Sequence, residues 1–95
     1  MPKNYKVFFT SYFEKYTKPY LKKNKMAVKL LARANEILES DPYNLTKKHN
    51  IKKLHGIKSG EGEFRLRVNN FRLRYDIFKK DVILYSFRNR KDVYK

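Results

Sequence analysis

The sequence has no cysteine, few acidic residues and no long apolar run, and each absence excludes a class of protein or site. Without cysteine, disulfide bonds, thiolate metal sites and a cysteine nucleophile are excluded. No segment approaches the roughly 20 apolar residues of a membrane-spanning helix. The N-terminus also lacks the apolar stretch of a secretion signal. We therefore expect a cytoplasmic protein that does not contact a membrane.

The shortage of acidic residues leaves a large excess of positive charge. The 95 residues include 24 Lys and Arg but only nine Asp and Glu, for a formal net charge of +15. Such a charge attracts anionic partners, of which nucleic acid is the obvious candidate. Seven Phe and eight Tyr, with many Leu, Ile and Val, supply the apolar surface of a core. The length predicts a single domain over residues 1–95.

The N-terminal part of the chain predicts a strand followed by a short helix. The apolar run over residues 4–10 has the aromatic and β-branched character of one buried strand. Ser11 with Glu14 three residues later has the spacing of a capping box, which predicts a helix that ends before Pro19.

A second helix is predicted from the first turn at Pro19 to the vicinity of Ser40. Proline is tolerated in a first turn, and Asp41 is pushed out of helical geometry because it precedes Pro42. The whole helical region is a hairpin or a bent helix of about two dozen residues. Its apolar stripe recurs at helical spacing and consists of Tyr20, Ala27, Leu31, Ala34 and Leu38.

After a polar connection over residues 43–63, the apolar period changes from helical to two. Three segments show this alternation, at residues 64–68, 71–78 and 81–88, with short connections between them. Asn69 and Asn70 suit a two-residue hairpin turn because Asn tolerates a positive φ. The pattern predicts a three-stranded antiparallel meander, with the more apolar third segment placed centrally.

Arginines alternate with the apolar residues of the first two strands. Arg65 and Arg67 lie on one side of the first strand, and Arg72 and Arg74, with Asp76, lie on the outward side of the second. Cross-strand neighbours are about 5 Å apart, so the guanidinium groups repel one another unless an anion lies among them. The pattern therefore predicts a polyanion site, although an ordinary solvated strand face would have the same alternation.

The order of elements and four short motifs resemble one known family. LESDPY closes the helices, KKLHG precedes the sheet, FRLRVNNFRLRYDIF forms its hairpin and RNRKDVY ends the chain. This arrangement resembles the RelE/ParE superfamily of toxins from toxin–antitoxin pairs. The resemblance implies an α+β fold in which an N-terminal strand, two helices and the meander form one sheet with the helices on one face.

The resemblance also implies two alternative activities. RelE-like members are endoribonucleases that cut mRNA in the ribosomal A site, whereas ParE-like members poison DNA gyrase on the same fold. Tyr94, close behind a basic turn, is typical of the RNases and favours that branch. A non-enzymatic basic RNA-binding protein is a third interpretation. The expected partners are the ribosome, mRNA and a cognate antitoxin with an acidic segment, without a metal or other cofactor.

Site residues follow from the positions that match the family pattern. Cleavage by attack of a ribose 2′-OH on the neighbouring phosphate builds negative charge that arginine can stabilise. Arg72 is the expected principal phosphate ligand and Tyr94 the expected base, while the acid is left open between Arg90, a lysine and a group or water on the ribosome. The expected catalytic residues are Arg72, Tyr94, Arg88 and Arg65, and the expected RNA-binding residues are Arg67, Arg90, Lys91 and Arg74.

Some residues depart from the family pattern or have simpler interpretations. Asn89 stands where many relatives have a histidine, and Glu63 where some have a basic residue. Tyr94 taken alone is also consistent with a frayed terminal aromatic residue. His49 and His55 lie in the polar connection without cysteine or carboxylate spacing for a metal, so we interpret them as solvated loop histidines.

Overall fold

The computed structural model describes residues 3–89, which form a five-stranded sheet and three helices. In chain order the elements are β1 (Lys6–Phe9), α1 (Ser11–Tyr16), α2 (Lys18–Lys22), α3 (Lys25–Ser40), β2 (Ile51–Lys53), β3 (Phe64–Val68), β4 (Phe71–Phe78) and β5 (Asp81–Asn89).

The sheet has the strand order β1-β5-β4-β3-β2, and only β1 and β5 pair in parallel. The predicted meander is confirmed, since β3, β4 and β5 pair antiparallel in succession. Asn69, in the turn between β3 and β4, has the expected positive φ, at 52°. Both β4 and β5 have neighbours on each side, and β4 is the middle strand.

One strand was missed, because β2 falls within the connection that was predicted to be a loop. It has only three residues, Ile51–Lys53, and one of them is apolar. No alternation can be recognised over so short a segment. Its pairing with β3 depends on backbone hydrogen bonds, which the side-chain pattern does not predict.

The first helix begins one residue earlier than predicted, because its cap is Thr10 and not Ser11. Thr10 has extended backbone angles, and its hydroxyl accepts a hydrogen bond from the Phe13 N–H at 3.0 Å. The predicted capping box of Ser11 and Glu14 is therefore wrong. Glu14 instead pairs with Lys18, one turn further along the chain.

The predicted second helix is divided into α2 and α3. Asn24 leaves the helical region, with φ −136°, and its side-chain oxygen accepts a hydrogen bond from the Ala27 N–H at 3.0 Å. An asparagine that caps a new helix interrupts the previous one, because its side chain replaces a backbone partner. The end of α3 at Ser40, before Asp41 and Pro42, is confirmed.

The core lies between the helices and one face of the sheet. It includes the predicted helical stripe together with the inward residues of the meander, and Phe13 of α1 completes it. No helix within residues 3–89 is long and apolar enough to cross a membrane. In the described part of the chain the largest fully buried side chains are Tyr75, Phe13, Leu38, Leu66, Leu73, Leu84, Val82 and Pro42.

Asp41 organises the turn that follows α3. Its buried carboxylate accepts hydrogen bonds from the Leu45 N–H at 2.7 Å, the Thr46 N–H at 3.2 Å and the Thr46 hydroxyl at 2.6 Å. The neighbouring Pro42 carbonyl accepts a bond from the buried hydroxyl of Tyr75 at 2.7 Å. Burial alone raises the pKa of Asp41, but the hydrogen bonds and the charge of nearby His49 outweigh it and hold the pKa below 3.8.

Replacing Asp41 with Asn should remove part of the acid sensitivity of the fold. A carboxyl whose pKa is lower in the folded protein stabilises it fully above its unfolded pKa, and this contribution is lost as the pH falls through the folded pKa. The free energy of unfolding of the wild type should therefore fall below about pH 4. We expect a smaller fall in Asp41→Asn, measured by urea unfolding at pH 7 and pH 3.

Asp81→Asn is the matched control, because the Asp81 carboxylate makes no ion pair or side-chain hydrogen bond within residues 3–89. That variant should retain the wild-type loss of stability between the two pH values. An equal loss in Asp41→Asn and the wild type would contradict the role assigned to Asp41.

Candidate functional site

Register across the meander places five arginines on the sheet face opposite the helices. Residues that are paired directly across neighbouring strands point to the same face. One row joins Arg67 of β3, Arg72 of β4 and Arg88 of β5. The next row joins Arg65 of β3, Arg74 of β4 and Ser86 of β5. The predicted arginine face is thus present, and Arg88 belongs to it.

Four of these arginines line a cavity of about 400 Å³, which we call the arginine cavity. Arg67 lies beside it and lines a neighbouring groove. The four ion pairs within residues 3–89 involve lysines or His49, so no carboxylate there neutralises the arginines. The lining residues of the arginine cavity are Tyr12, Leu54, Arg65, Arg72, Arg74, Tyr85, Ser86 and Arg88.

Arg65 and Arg72 carry buried donors without partners. The Nε atoms of both side chains are buried and make no hydrogen bond. Arg65 donates one bond, to the Asn50 side-chain oxygen at 3.3 Å. Burial, and then the charges of Arg67 and Arg72, lower the pKa of Arg65. A buried donor left unsatisfied is unfavourable, and a bound anion would supply both the acceptor and the opposite charge.

Arg74 and Asp76 of β4 hold the 60–63 loop against the sheet. Arg74 donates to the Gly62 carbonyl at 3.1 Å and to the Glu61 carbonyl at 2.6 Å. Asp76 accepts from the Gly62 N–H at 2.9 Å and the Glu63 N–H at 3.0 Å. Arg74 therefore forms a wall of the arginine cavity, and two of its guanidinium nitrogens are already engaged by the loop carbonyls. Asp76 lies on the predicted face, but the loop buries it.

Gly62 permits this close contact between the loop and β4. Its φ is +80°, and a Cβ at this position would lie 2.8 Å from Cβ of Arg74 and 3.3 Å from Cβ of Tyr85. Only glycine fits both the backbone angle and the space. The sequence showed a glycine-containing loop before a strand, but it could not show what the loop touches.

A β-bulge at Tyr85 directs the side chain of Arg88 to the arginine face of the sheet. Tyr75 pairs with Leu84 and Arg74 pairs with Ser86, so Tyr85 is an extra residue in β5. Strict alternation from buried Leu84 would send Arg88 toward the helices. The bulge shifts the alternation by one residue, which sends Phe87 into the core and Arg88 to the opposite face.

Tyr12 of α1 is a cavity residue that the sequence did not suggest. Its ring stacks on Tyr85 with centroids 4.8 Å apart and planes 10° apart. Its hydroxyl accepts a hydrogen bond from Arg88. α1 packs beside β5, so Phe13 enters the core while its neighbour Tyr12 reaches the arginine side. A tyrosine next to a core phenylalanine gives no signal in the sequence, because its role depends on this placement.

Further residues singled out in the sequence belong to the C-terminal part of the chain. Arg90, Lys91 and Tyr94 lie outside the described residues 3–89. Asn89 lines a groove near Tyr16 and not the arginine cavity.

Neither Glu63 nor the histidines contribute to the arginine cavity. The Glu63 carboxylate pairs with Lys53 at 3.2 Å. His49 lies 3.8 Å from Asp41, and His55 is exposed in its loop. No group of three His, Asp or Glu side chains in the described chain could hold a metal ion.

Comparison of the structure with solved structures finds the same fold in other proteins. A chain of the RelB–RelE antitoxin–toxin complex from Methanococcus jannaschii superposes with a TM-score of 0.55 at 26% identity, covering 93% of this chain and 95% of the other. YafQ from E. coli strain BL21(DE3) superposes with a TM-score of 0.60 at 15% identity, covering 96% of this chain and 99% of the other. No protein-family model and no curated protein sequence matches the chain.

The class that this fold defines is the RelE-like toxin fold. The α+β architecture predicted from the sequence is confirmed, with five strands in its sheet and not four. The resemblance to the RelE/ParE superfamily is likewise confirmed by the fold shared with a chain of the RelB–RelE antitoxin–toxin complex.

Gly62→Ala should destabilise the protein more than Gly60→Ala. Both glycines have left-handed backbone angles, φ +80° and +96°, so both alanines are strained by about 1–2 kcal/mol. Only Gly62 has a neighbour within 4 Å of the added Cβ. We expect a further loss of about 1–3 kcal/mol there from the steric clash, measured by urea unfolding. Equal losses in the two variants would show that the loop does not press on β4.

Proposed function

We propose that this protein is the toxin of a toxin–antitoxin pair and acts as a ribosome-dependent mRNA endonuclease that inhibits translation. The observation that carries the proposal is the arginine cavity. Four guanidinium groups converge there without a carboxylate, and two of them have buried, unpartnered Nε donors. A fold shared with RelE-family toxins supports this function for the cavity.

Arg72 is the principal phosphate ligand in this proposal. It stands in the middle of the row Arg67, Arg72 and Arg88, and also lines the cavity with Arg65. A guanidinium fork binds two phosphoryl oxygens and stays charged at every relevant pH. From this position Arg72 can approach the phosphate itself, while its neighbours bind the flanking oxygens and orient the strand.

The reaction proposed is attack of a ribose 2′-oxygen on the neighbouring phosphorus. The 2′-O–P bond forms and the P–5′-O bond breaks, which leaves a 2′,3′-cyclic phosphate and a free 5′-hydroxyl. The phosphoryl oxygens gain negative charge in the transition state, and preorganised arginines stabilise it. Because the arginines supply this positive charge, the mechanism requires no metal ion.

Two proton transfers complete the reaction. Tyr94 is the proposed base for the 2′-OH proton, on the strength of the family resemblance, and Arg90 and Lys91, which precede it in the sequence, are proposed RNA ligands. The proton for the leaving 5′-oxygen comes from Arg90, a lysine, or a group or water on the ribosome. An incomplete acid–base set in the protein itself is consistent with dependence on the ribosome.

An antitoxin is the proposed regulatory partner. The M. jannaschii neighbour is a RelB–RelE antitoxin–toxin complex. The net charge of +15 and the unneutralised arginines favour a partner with an acidic segment. This segment would cover the arginine cavity or displace ligands from it. A cytoplasmic location follows from the proposed ribosomal substrate.

Arg72→Ala should reduce cleavage of mRNA on programmed ribosomes by about 10²–10³-fold, because it removes a donor to the developing charge. Arg72→Lys should recover only part of the activity, since lysine keeps the charge but not the bidentate fork. Cleavage is measured as the single-turnover rate with purified ribosomes and a defined message.

Lys29→Ala is the control for the loss of one positive charge. Lys29 is exposed on α3, away from the arginine face, and its replacement should leave the rate near that of the wild type. Equal rates for Arg72→Ala and wild type would refute the scheme.

Induction in a susceptible host, followed by mapping of mRNA 5′ ends, separates the endonuclease from its rivals. We expect new ends confined to translated regions, and far fewer of them for Tyr94→Phe. A gyrase poison would leave mRNA intact and alter DNA supercoiling. A non-enzymatic RNA-binding protein would tolerate Tyr94→Phe and lose affinity gradually as arginines are removed.

A further inference from the structure

Tyr12 is the hydrogen-bond partner of Arg88 at the rim of the arginine cavity. The Tyr12 hydroxyl accepts a bond from the terminal Nη2 of Arg88, and the guanidinium carbon lies 5.9 Å from the centroid of the Tyr12 ring. Within residues 3–89 Arg88 has no ion pair. The described contacts that fix its guanidinium therefore come from this one tyrosine.

Arg88 needs such a contact more than the other arginines of the cavity. Its side chain is exposed, whereas Arg65, Arg72 and Arg74 are partly buried. An exposed arginine can adopt many rotamers, and a ligand that binds it must pay for ordering the side chain. A fixed acceptor that selects one rotamer beforehand lowers this cost.

The position of the Tyr12 hydroxyl is itself fixed by the fold. The Tyr12 ring lies against Tyr85 of the bulge, at 4.8 Å, and against Tyr16 one turn along α1, at 4.7 Å. The next residue, Phe13, is fully buried and stacks on Phe9 at 4.7 Å. Core packing on one side of α1 thus determines where the hydroxyl lies on the other.

We propose that Tyr12 is a positioning residue that holds Arg88 ready for the RNA phosphate. The hydroxyl engages one of the five N–H donors of the guanidinium and leaves the others for the ligand. It is neutral, so it fixes the arginine without cancelling its charge. The inference rests on the proposed function for its RNA ligand, but the contact between Tyr12 and Arg88 can be tested apart from cleavage.

A double-mutant cycle tests whether Tyr12 acts through Arg88. Tyr12→Phe keeps the stacked ring and removes only the hydroxyl. In an otherwise wild-type chain it should lower the single-turnover cleavage rate on programmed ribosomes on the order of tenfold. In an Arg88→Ala chain the same change should leave the cleavage rate almost unchanged, because the group that Tyr12 positions is gone.

Tyr16→Phe is the matched control for the loss of a tyrosine hydroxyl. Tyr16 belongs to the same aromatic stack but lies 55% exposed and does not line the arginine cavity. Its replacement should leave the cleavage rate unchanged. Equal effects of Tyr12→Phe in the wild-type and Arg88→Ala chains, or no effect in either, would overturn the proposal.

Side-chain ¹⁵N relaxation of Arg88 provides a measurement that does not depend on cleavage. We expect the Arg88 Nε–H order parameter to fall in Tyr12→Phe and to stay at the wild-type value in Tyr16→Phe, while that of Arg72 is unchanged in both. An unchanged Arg88 value in Tyr12→Phe would reject the positioning role even if wild-type protein cleaves mRNA. Conversely, a wild-type protein that fails to cleave would reject the proposed function, and the relaxation data would still decide whether Tyr12 orders Arg88.

Discussion

Repulsion among the arginines of one sheet face is the constraint on which the other features of the structure depend. Arg65 illustrates it, because burial and the charges of Arg67 and Arg72 all disfavour its protonated form. The strands that carry these residues are held together by what lies on their other side. Leu66, Leu73 and Phe87 pair across the same three strands and are buried beneath the helices. Burial of this apolar layer offsets the unfavourable charge distribution above it.

Neutral acceptors, and not carboxylates, fix three of the five arginines in place. Arg74 donates to two loop carbonyls, Arg65 to the Asn50 side chain, and Arg88 to the Tyr12 hydroxyl. A carboxylate in any of these positions would hold the guanidinium as firmly but would also cancel its charge. Asp76, the acidic residue on the same strand as Arg72 and Arg74, accepts instead from the backbone N–H groups of the 60–63 loop. The fold thereby keeps the positive potential of the cavity while restricting its side chains.

The meander and the arginine face of its first two strands were predictable because they follow from periodicity, whereas the arrangement of the whole fold came from the family resemblance. Alternation over β3 and β4 located Arg65, Arg67, Arg72 and Arg74 on one face, and the structure agrees in each case. Features that depend on contacts distant in sequence were not predictable. β2 has too few apolar residues to show a period, and Tyr12 becomes a cavity residue only because α1 lies beside β5. The approach of Gly62 to Arg74 is of the same kind. The cap at Asn24 is a local contact with Ala27, but the continuous apolar stripe gave no sign that the helix divides there.

Because of the bulge at Tyr85, the face of the sheet to which Arg88 points depends on the exact number of residues that precede it in β5. With the extra residue, Arg88 faces the cavity and Asn89 faces the helix side. Loss of a single residue between Leu84 and Arg88 would exchange those two orientations. A change of two residues would preserve the orientations and alter only the reach of the strand. Single-residue insertions and deletions in this short segment are thus far more damaging to the site than their size suggests, although none of the arginines is replaced.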